Sequence, residues 1–185
     1  MPLDVVAWES PIVSFMEVKT QTTEGAEMAA MPNPIPDRYR RVTPALVVDG
    51  AAQALEFYAK VFGAAERARI PGPGGTIVHA EIELGDSVLI VEDASPYMGT
   101  KAPPLGGVDG HPLFLYVYVQ DVDATMQEAV KLGATLVRPP QDQFYGDRDG
   151  FIIDPFGHAW TVSSHVEDVE PAEMMRRMSE MQGQQ

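Results

Sequence analysis

Apolar and polar positions follow the same plan twice along the chain. Residues 42–64 read VTPALVVDGAAQALEFYAKVFGA and residues 113–134 read LFLYVYVQDVDATMQEAVKLGA. Each stretch is an apolar run, an acidic turn, a helix-period segment with a lysine near its end, and a Gly-Ala stop. Val48 and Lys60 fall at the same offset from Val119 and Lys131. Self-similarity at a fixed spacing marks one supersecondary unit used more than once. In residues 51–62, Ala51, Ala54, Leu55, Tyr58 and Phe62 recur at helical spacing, and Gly63 provides a left-handed stop. The pattern then changes to strands over 65–70, 76–84 and 87–92. A Pro-Gly turn lies at 71–75, and Gly85-Asp86 forms a hairpin signal. In the second half, strands are expected over 113–119, 135–138, 150–154 and 159–163, with a helix over 122–132.

Each half therefore reads βαβββ, which is an α+β plan: two modules whose mixed sheets carry helices on the outer face and curve into a cup. The expected organisation is an N-terminal extension (1–35), a first module (36–95), a Pro- and Gly-rich linker (96–111), a second module (112–169) and a helical tail (170–185). A short strand is conceivable at 11–18. In the tail, Met174, Met178 and Met181 share one helix face, as for packing against the body or a second subunit.

Strand alternation identifies the side chains that line the cup. If Thr43 faces it, so do Ala45 and Val47; if Phe114 does, so do Tyr116 and Tyr118. Val88, Ile90 and Glu92 form one further set, and Ala159, Thr161 and Ser163 another. In 76–84, Val78, Ala80, Ile82 and Leu84 are expected on the helices, with His79, Glu81 and Glu83 toward the cup or solvent. The lining is then an aromatic wall, a few hydroxyls and a His–carboxylate pair, a composition suited to flat or cationic organic ligands.

Charge and composition narrow the function classes. The net charge is −14, so binding to nucleic acid or an anionic membrane is disfavoured. The absence of cysteine excludes disulfides, thiolate nucleophiles and Cys-bound metals. No apolar run reaches membrane-spanning length, and no basic start followed by an apolar stretch marks a signal peptide; a cytoplasmic location is expected.

Among single residues, His79 with Glu81 is the best polar pair. Two positions apart on a strand, they read as a proton-transfer or ligand-anchoring pair, or as an ordinary strand histidine. His165 lies near Glu167 and Asp168 in a charge cluster, His158 in the 155–158 turn, and His111 in the linker. Arg148 either anchors a ligand carboxylate or pairs with Asp147, Asp149 or Asp154. Asp154 is expected to bond the following turn, with Trp160 and Phe156 in the core. The glycines at 72–75 precede a strand, so they form a turn and not a phosphate loop.

The stretch GDSVLIVED, and above all QFYGDRDGFIIDPFGHAWTVSSHVEDV over 143–169, resembles the vicinal oxygen chelate superfamily of glyoxalases, bleomycin-resistance proteins and extradiol dioxygenases, with its closest similarity to the PhnB-like group. The resemblance implies a cupped sheet and a homodimer. In the enzymes it also implies a divalent metal held by His, Gln or Glu from the first and last strands of each module. In this chain those positions fall at Thr43, Ile90, Phe114 and Thr161, none of them a usual ligand of a catalytic divalent ion. The expectation is therefore a glyoxalase-like protein that binds a small organic molecule without cofactor or metal, in a sequestration or resistance-type role. The pocket would comprise Thr43, His79, Glu81, Ile90, Glu92, Phe114, Tyr116, Tyr118, Arg148 and Thr161. The alternative is a divergent metal-dependent lyase, isomerase or dioxygenase using His79 and Glu81, with Glu92 or His165 as a further donor.

Overall fold

A computed structural model describes residues 33–105 and 113–183, and all the elements below belong to the unit Ile35–Gln185. The strand conceived at 11–18 and the end of the linker from 106 on, His111 included, lie outside the described residues. The first module runs β1 (Ala45–Val48), α1 (Ala51–Phe62), β2 (Ala65–Pro71), β3 (Ile77–Leu84) and β4 (Ser87–Asp93). The second runs β5 (Leu115–Tyr118), α2 (Val122–Lys131), β6 (Thr135–Asp142), β7 (Asp147–Ile153) and β8 (Ala159–His165), followed by α3 (Pro171–Gln182). Each module forms its own four-stranded mixed sheet, ordered β1-β4-β3-β2 and β5-β8-β7-β6. In both, the first strand is parallel to the last, and the other neighbours are antiparallel.

Alternation places Leu46, Val48, Ala80, Ile82, Leu89 and Val91 of the first sheet, and Ile152, Trp160 and Val162 of the second, in one hydrophobic core with the inner faces of α1 and α2. The modules are joined there by a buried acid. Asp154 accepts hydrogen bonds from the Tyr58 hydroxyl (2.7 Å) and the Trp160 indole (2.9 Å), and its other oxygen accepts from the backbone N–H groups of Phe156 and His158. Burial, and then the neighbouring Asp154 charge, push the Tyr58 pKa well above its usual range, so the phenol stays a donor. The His158 ring bonds the Val47 carbonyl of β1 at 3.0 Å, a link between modules where only a local turn contact was expected.

The helix starts are held from the neighbouring sheet. Gly50 has no side chain to cap α1, and Asp93 at the end of β4 accepts from the N–H groups of Gly50 and Ala51 while its other oxygen accepts from Ile77. At α2, Asp121 caps in the ordinary way and Ser164 of β8 accepts from the Val122 N–H.

Two strand details differ from the sequence reading. Val78 is 55% exposed, because the step from Ile70↔His79 to Pro71↔Ile77 leaves it as the extra residue of a bulge, which breaks the alternation. The hairpin between β6 and β7 is also tighter than expected. β6 continues through Pro139 and Pro140 to Asp142, which an edge strand with a register shift tolerates, and β7 begins at Asp147. The Asp147–Asp149 segment, expected in a turn, is therefore strand.

Candidate functional site

On the second sheet, Tyr116 and Tyr118 alternate with the core-packed Leu115 and Val117, so they point to the face not covered by helices. The register sets Tyr116 opposite Thr161 and Tyr118 opposite Ser163, with Asp149 opposite Ser163 and Asp147 opposite His165 on the next strand pair. Two carboxylates are thereby buried on one open sheet face: Asp149 is 1% and Asp147 is 5% exposed. Buried charges persist only where they are paired and hydrogen-bonded. Asp149 accepts from Tyr145, from Tyr116 (3.3 Å) and from Gln143 (3.1 Å), and it pairs with Arg138, which also donates to its backbone carbonyl. Asp147 accepts from Tyr118 (2.8 Å) and Ser163 (3.2 Å), and His165 Nδ1 lies 2.8 Å away. The other ring nitrogen of His165 is 2.9 Å from Asp168.

These contacts set the protonation states. Burial alone would raise the Asp147 pKa, but the bonds from His165, Tyr118 and Ser163 outweigh it and hold the carboxyl below its usual value. The bond to Asp147, then burial, pushes Tyr118 up to about 12. Burial and then Asp149 push Tyr145 up as well. Hydrogen bonds to Asp147 and Asp168 raise His165. The Tyr118 and Tyr145 phenols are therefore donors at neutral pH, and the Tyr116 and Tyr118 rings, 5.4 Å apart between centroids, stand side by side as a wall.

That wall borders a cavity of about 480 Å³ between the free edge of β5 and the first module, lined by Val42, Phe62, Leu89, Tyr116, Tyr118 and Trp160 among others. Arg40 and Asp86, 2.9 Å apart, supply charge at its lining. Of the expected pocket residues, Tyr116 and Tyr118 reach this cavity and the others do not. Phe114 packs edge-on against Phe151 (6.0 Å between centroids), and Thr161 lies buried beneath the tyrosines. Thr43 precedes β1 and turns its hydroxyl to the Arg40 carbonyl (3.4 Å). Ile90 and Glu92 sit half-buried opposite Ala45 and Val47.

Arg148 lies on the other face of β7. It pairs with Asp123 of α2 (2.7 Å) and Asp142 of β6 (2.9 Å), and so belongs neither to the pocket nor with Asp147, Asp149 or Asp154. Odd positions of β7 face the open side, and Arg148 falls between them. His79 and Glu81 do meet, at 3.2 Å on the open face of the first sheet, but Glu81 is also bonded by Tyr39 and flanked by Arg67.

The buried acids, Tyr145, Arg138 and Tyr39 escaped the sequence reading. An Asp-x-Asp step continuing into Phe151 and Ile153 at period two was a usable signal for β7; Tyr39 had none.

A family model, Glyoxalase/Bleomycin resistance protein/Dioxygenase superfamily, matches residues 40–162. The chain belongs to this superfamily. A Mycobacterium bovis protein, Mb0911c, is 40% identical over 139 residues, 75% of this chain and 91% of its own length. Among solved structures, TioX from Micromonospora sp. ML1 is 26% identical with a TM-score of 0.52, covering 69% of this chain and 99% of TioX. The PhnB protein from Bacillus cereus shares the fold at 17% identity and a TM-score of 0.53, covering 68% of this chain and 99% of its own.

The metal of the glyoxalase-type enzymes finds no fitting donor set at the corresponding strands. β1 and β4 offer Ala45, Val47, Ile90 and Glu92, while β5 and β8 offer Tyr116, Tyr118, Thr161 and Ser163. A divalent ion needs several imidazole nitrogens or carboxylate oxygens converging on one point. Among the described residues no three His, Asp or Glu side chains do so. No helix among them is long and apolar enough to cross a membrane.

Proposed function

We propose that this superfamily member binds a small organic molecule, with a flat aromatic portion, in the cavity beside β5, and does so without a catalytic metal. The observation that carries the reading is the tyrosine wall itself. Tyr116 and Tyr118 line a cavity of about 480 Å³, and their hydroxyls are anchored on the buried acids Asp147 and Asp149. Ligand sites of this size commonly combine apolar walls with a few placed polar groups. Pre-ordered rings lose little rotamer freedom when a ligand stacks on them, which favours affinity. The activity class that follows is sequestration or delivery of the bound compound. Two copies of the chain forming a homodimer fit this reading, since Leu113 and Phe114 leave apolar surface beside the free edge of β5.

The test is a thermal-shift and calorimetric screen of small aromatic compounds on the purified protein, with elemental analysis of the same sample. A ligand of the native state raises Tm by mass action. The expected result is a stabilising aromatic compound whose effect falls at least tenfold in Tyr116→Ala or Tyr118→Ala, with no stoichiometric metal. A stoichiometric divalent ion whose removal abolishes a turnover reaction overturns the reading.

A further inference from the structure

Glu81 is 3% exposed although it stands on a sheet face that no helix covers. It is covered by the segment preceding β1, where Tyr39 donates its phenolic proton to Glu81 Oε1. The Tyr39 ring is flanked by two guanidinium groups, Arg38 at 4.9 Å and Arg67 at 5.6 Å from its centroid. Cations over an aromatic face are attracted by the ring quadrupole. His79 Nε2 lies 3.2 Å from the same carboxylate oxygen. The other oxygen, Oε2, is buried without a hydrogen bond, and its nearest cation is Arg67 Nε at 3.5 Å. Oε2 is thus held by the charge of Arg67 without a hydrogen bond, and it keeps acceptor capacity that Tyr39 leaves unused.

We propose that this face of the first sheet is a binding site for small phenols, occupied in the structure by the chain's own Tyr39. The bound group is a 4-alkylphenol in all but its tether. Its hydroxyl is read by a buried carboxylate and its ring by Arg67, a residue of β2 that stays when the segment leaves. Among the contacts that hold the tether, Arg40 donates to the Asp86 carboxylate (2.9 Å) and carbonyl (3.3 Å), Arg38 lies 4.0 Å from Glu81, and the Arg38 carbonyl accepts from Arg67 at 3.2 Å. A free phenol competes with Tyr39 for one acceptor, so its apparent affinity is reduced by the fraction of molecules in which the segment is in place. The site shares neither Glu81 nor Tyr39 with the cavity beside β5, whose lining takes Arg40 and Val42 from the same segment; Tyr116→Ala should leave 4-methylphenol binding to Tyr39→Ala unchanged, which separates this proposal from the preceding one.

The test uses the full chain and 4-methylphenol, with toluene as the probe of the same shape lacking the hydroxyl. Calorimetry should show 4-methylphenol binding to Tyr39→Ala at least tenfold more tightly than to the parent. Toluene should bind the variant at least tenfold more weakly than 4-methylphenol, and Tyr39→Ala combined with Glu81→Met, which has similar volume and no oxygen acceptor, should lose the gain. Equal affinity of parent and Tyr39→Ala, or equal affinity for the two probes, overturns the proposal. Should Tyr39→Ala fail to fold, the parent protein decides. Millimolar 4-methylphenol, and not toluene, should accelerate tryptic cleavage after Arg38, Arg40 and Arg41 several-fold by displacing the segment, and unchanged cleavage overturns the idea.

Discussion

On the first sheet, the face without helices holds one buried acid, Glu81, roofed by Tyr39 of the segment before β1 and flanked by Arg67. On the second sheet, the corresponding face holds two, Asp147 and Asp149, whose donors come from their own module: three tyrosines, Ser163, Gln143, Arg138 and His165. The scaffolds beneath are alike in strand order, helix placement and the capping of each helix from the last strand of its sheet. A duplicated fold has thus kept its backbone and core while its two open faces diverged. Core positions are constrained by packing on both sides, whereas open-face positions answer to whatever lies above them. The self-contained network pre-forms a wall; the roofed acid makes a site whose state depends on a tether.

The largest expected effect concerns what the two modules share. Asp154→Ala leaves the Tyr58 hydroxyl, the Trp160 indole and two backbone N–H groups without their acceptor, and should cost roughly 3–5 kcal/mol in urea denaturation, with both modules losing structure in one transition. Separate transitions for the two modules would break the picture of a common core.

A smaller effect sharpens the contrast between the open faces. Asp149→Ala strands Arg138 and three further donors and should cost roughly 3 kcal/mol, whereas Glu81→Gln keeps an acceptor for Tyr39 and should cost about 1 kcal/mol. The reverse order, measured by the same denaturation, would mean that the roofed acid is the more deeply integrated one.

The smallest effect is a pH dependence confined to the second face. His165 has its pKa raised above the ordinary 6.5 by hydrogen bonds to Asp147 and Asp168. Its contribution to stability is fully present below pH 6.5 and is lost as pH rises through the folded-state value. NMR titration should place the His165 midpoint above 6.5, and His165→Gln should flatten the fall in Tm on going from slightly acidic to slightly alkaline pH. A midpoint at or below 6.5 would show that the pairing with Asp147 is not maintained in solution.

Much of this architecture was legible from local pattern. The repeated strand–turn–helix, the bounds of α1, the Gly85-Asp86 hairpin and the inward-facing Ala80, Ile82 and Trp160 all follow from periodicity and turn chemistry. The candidate site was legible only in part. Tyr116 and Tyr118 were placed on the open face correctly, but they were read as rings alone, since nothing nearby in the chain discloses that Asp147 and Asp149 receive their hydroxyls. Arg148 was read either as an anchor for a ligand carboxylate or as a partner of Asp147, Asp149 or Asp154, three acids close to it in sequence. Strand alternation instead turned it to the helix side, toward Asp123.

The chain by itself determined the class of fold, the duplication and the buried faces of its helices, because each of these is a matter of period or of residue identity. Tertiary structure decided which polar groups meet: Tyr58 with Asp154, Tyr39 with Glu81, Tyr118 with Asp147, Arg138 with Asp149. Most of these pairs join residues remote along the chain: the last two depend on strand register, and the first two on the docking of α1 and of the segment before β1, all of which come only after the sheets have formed.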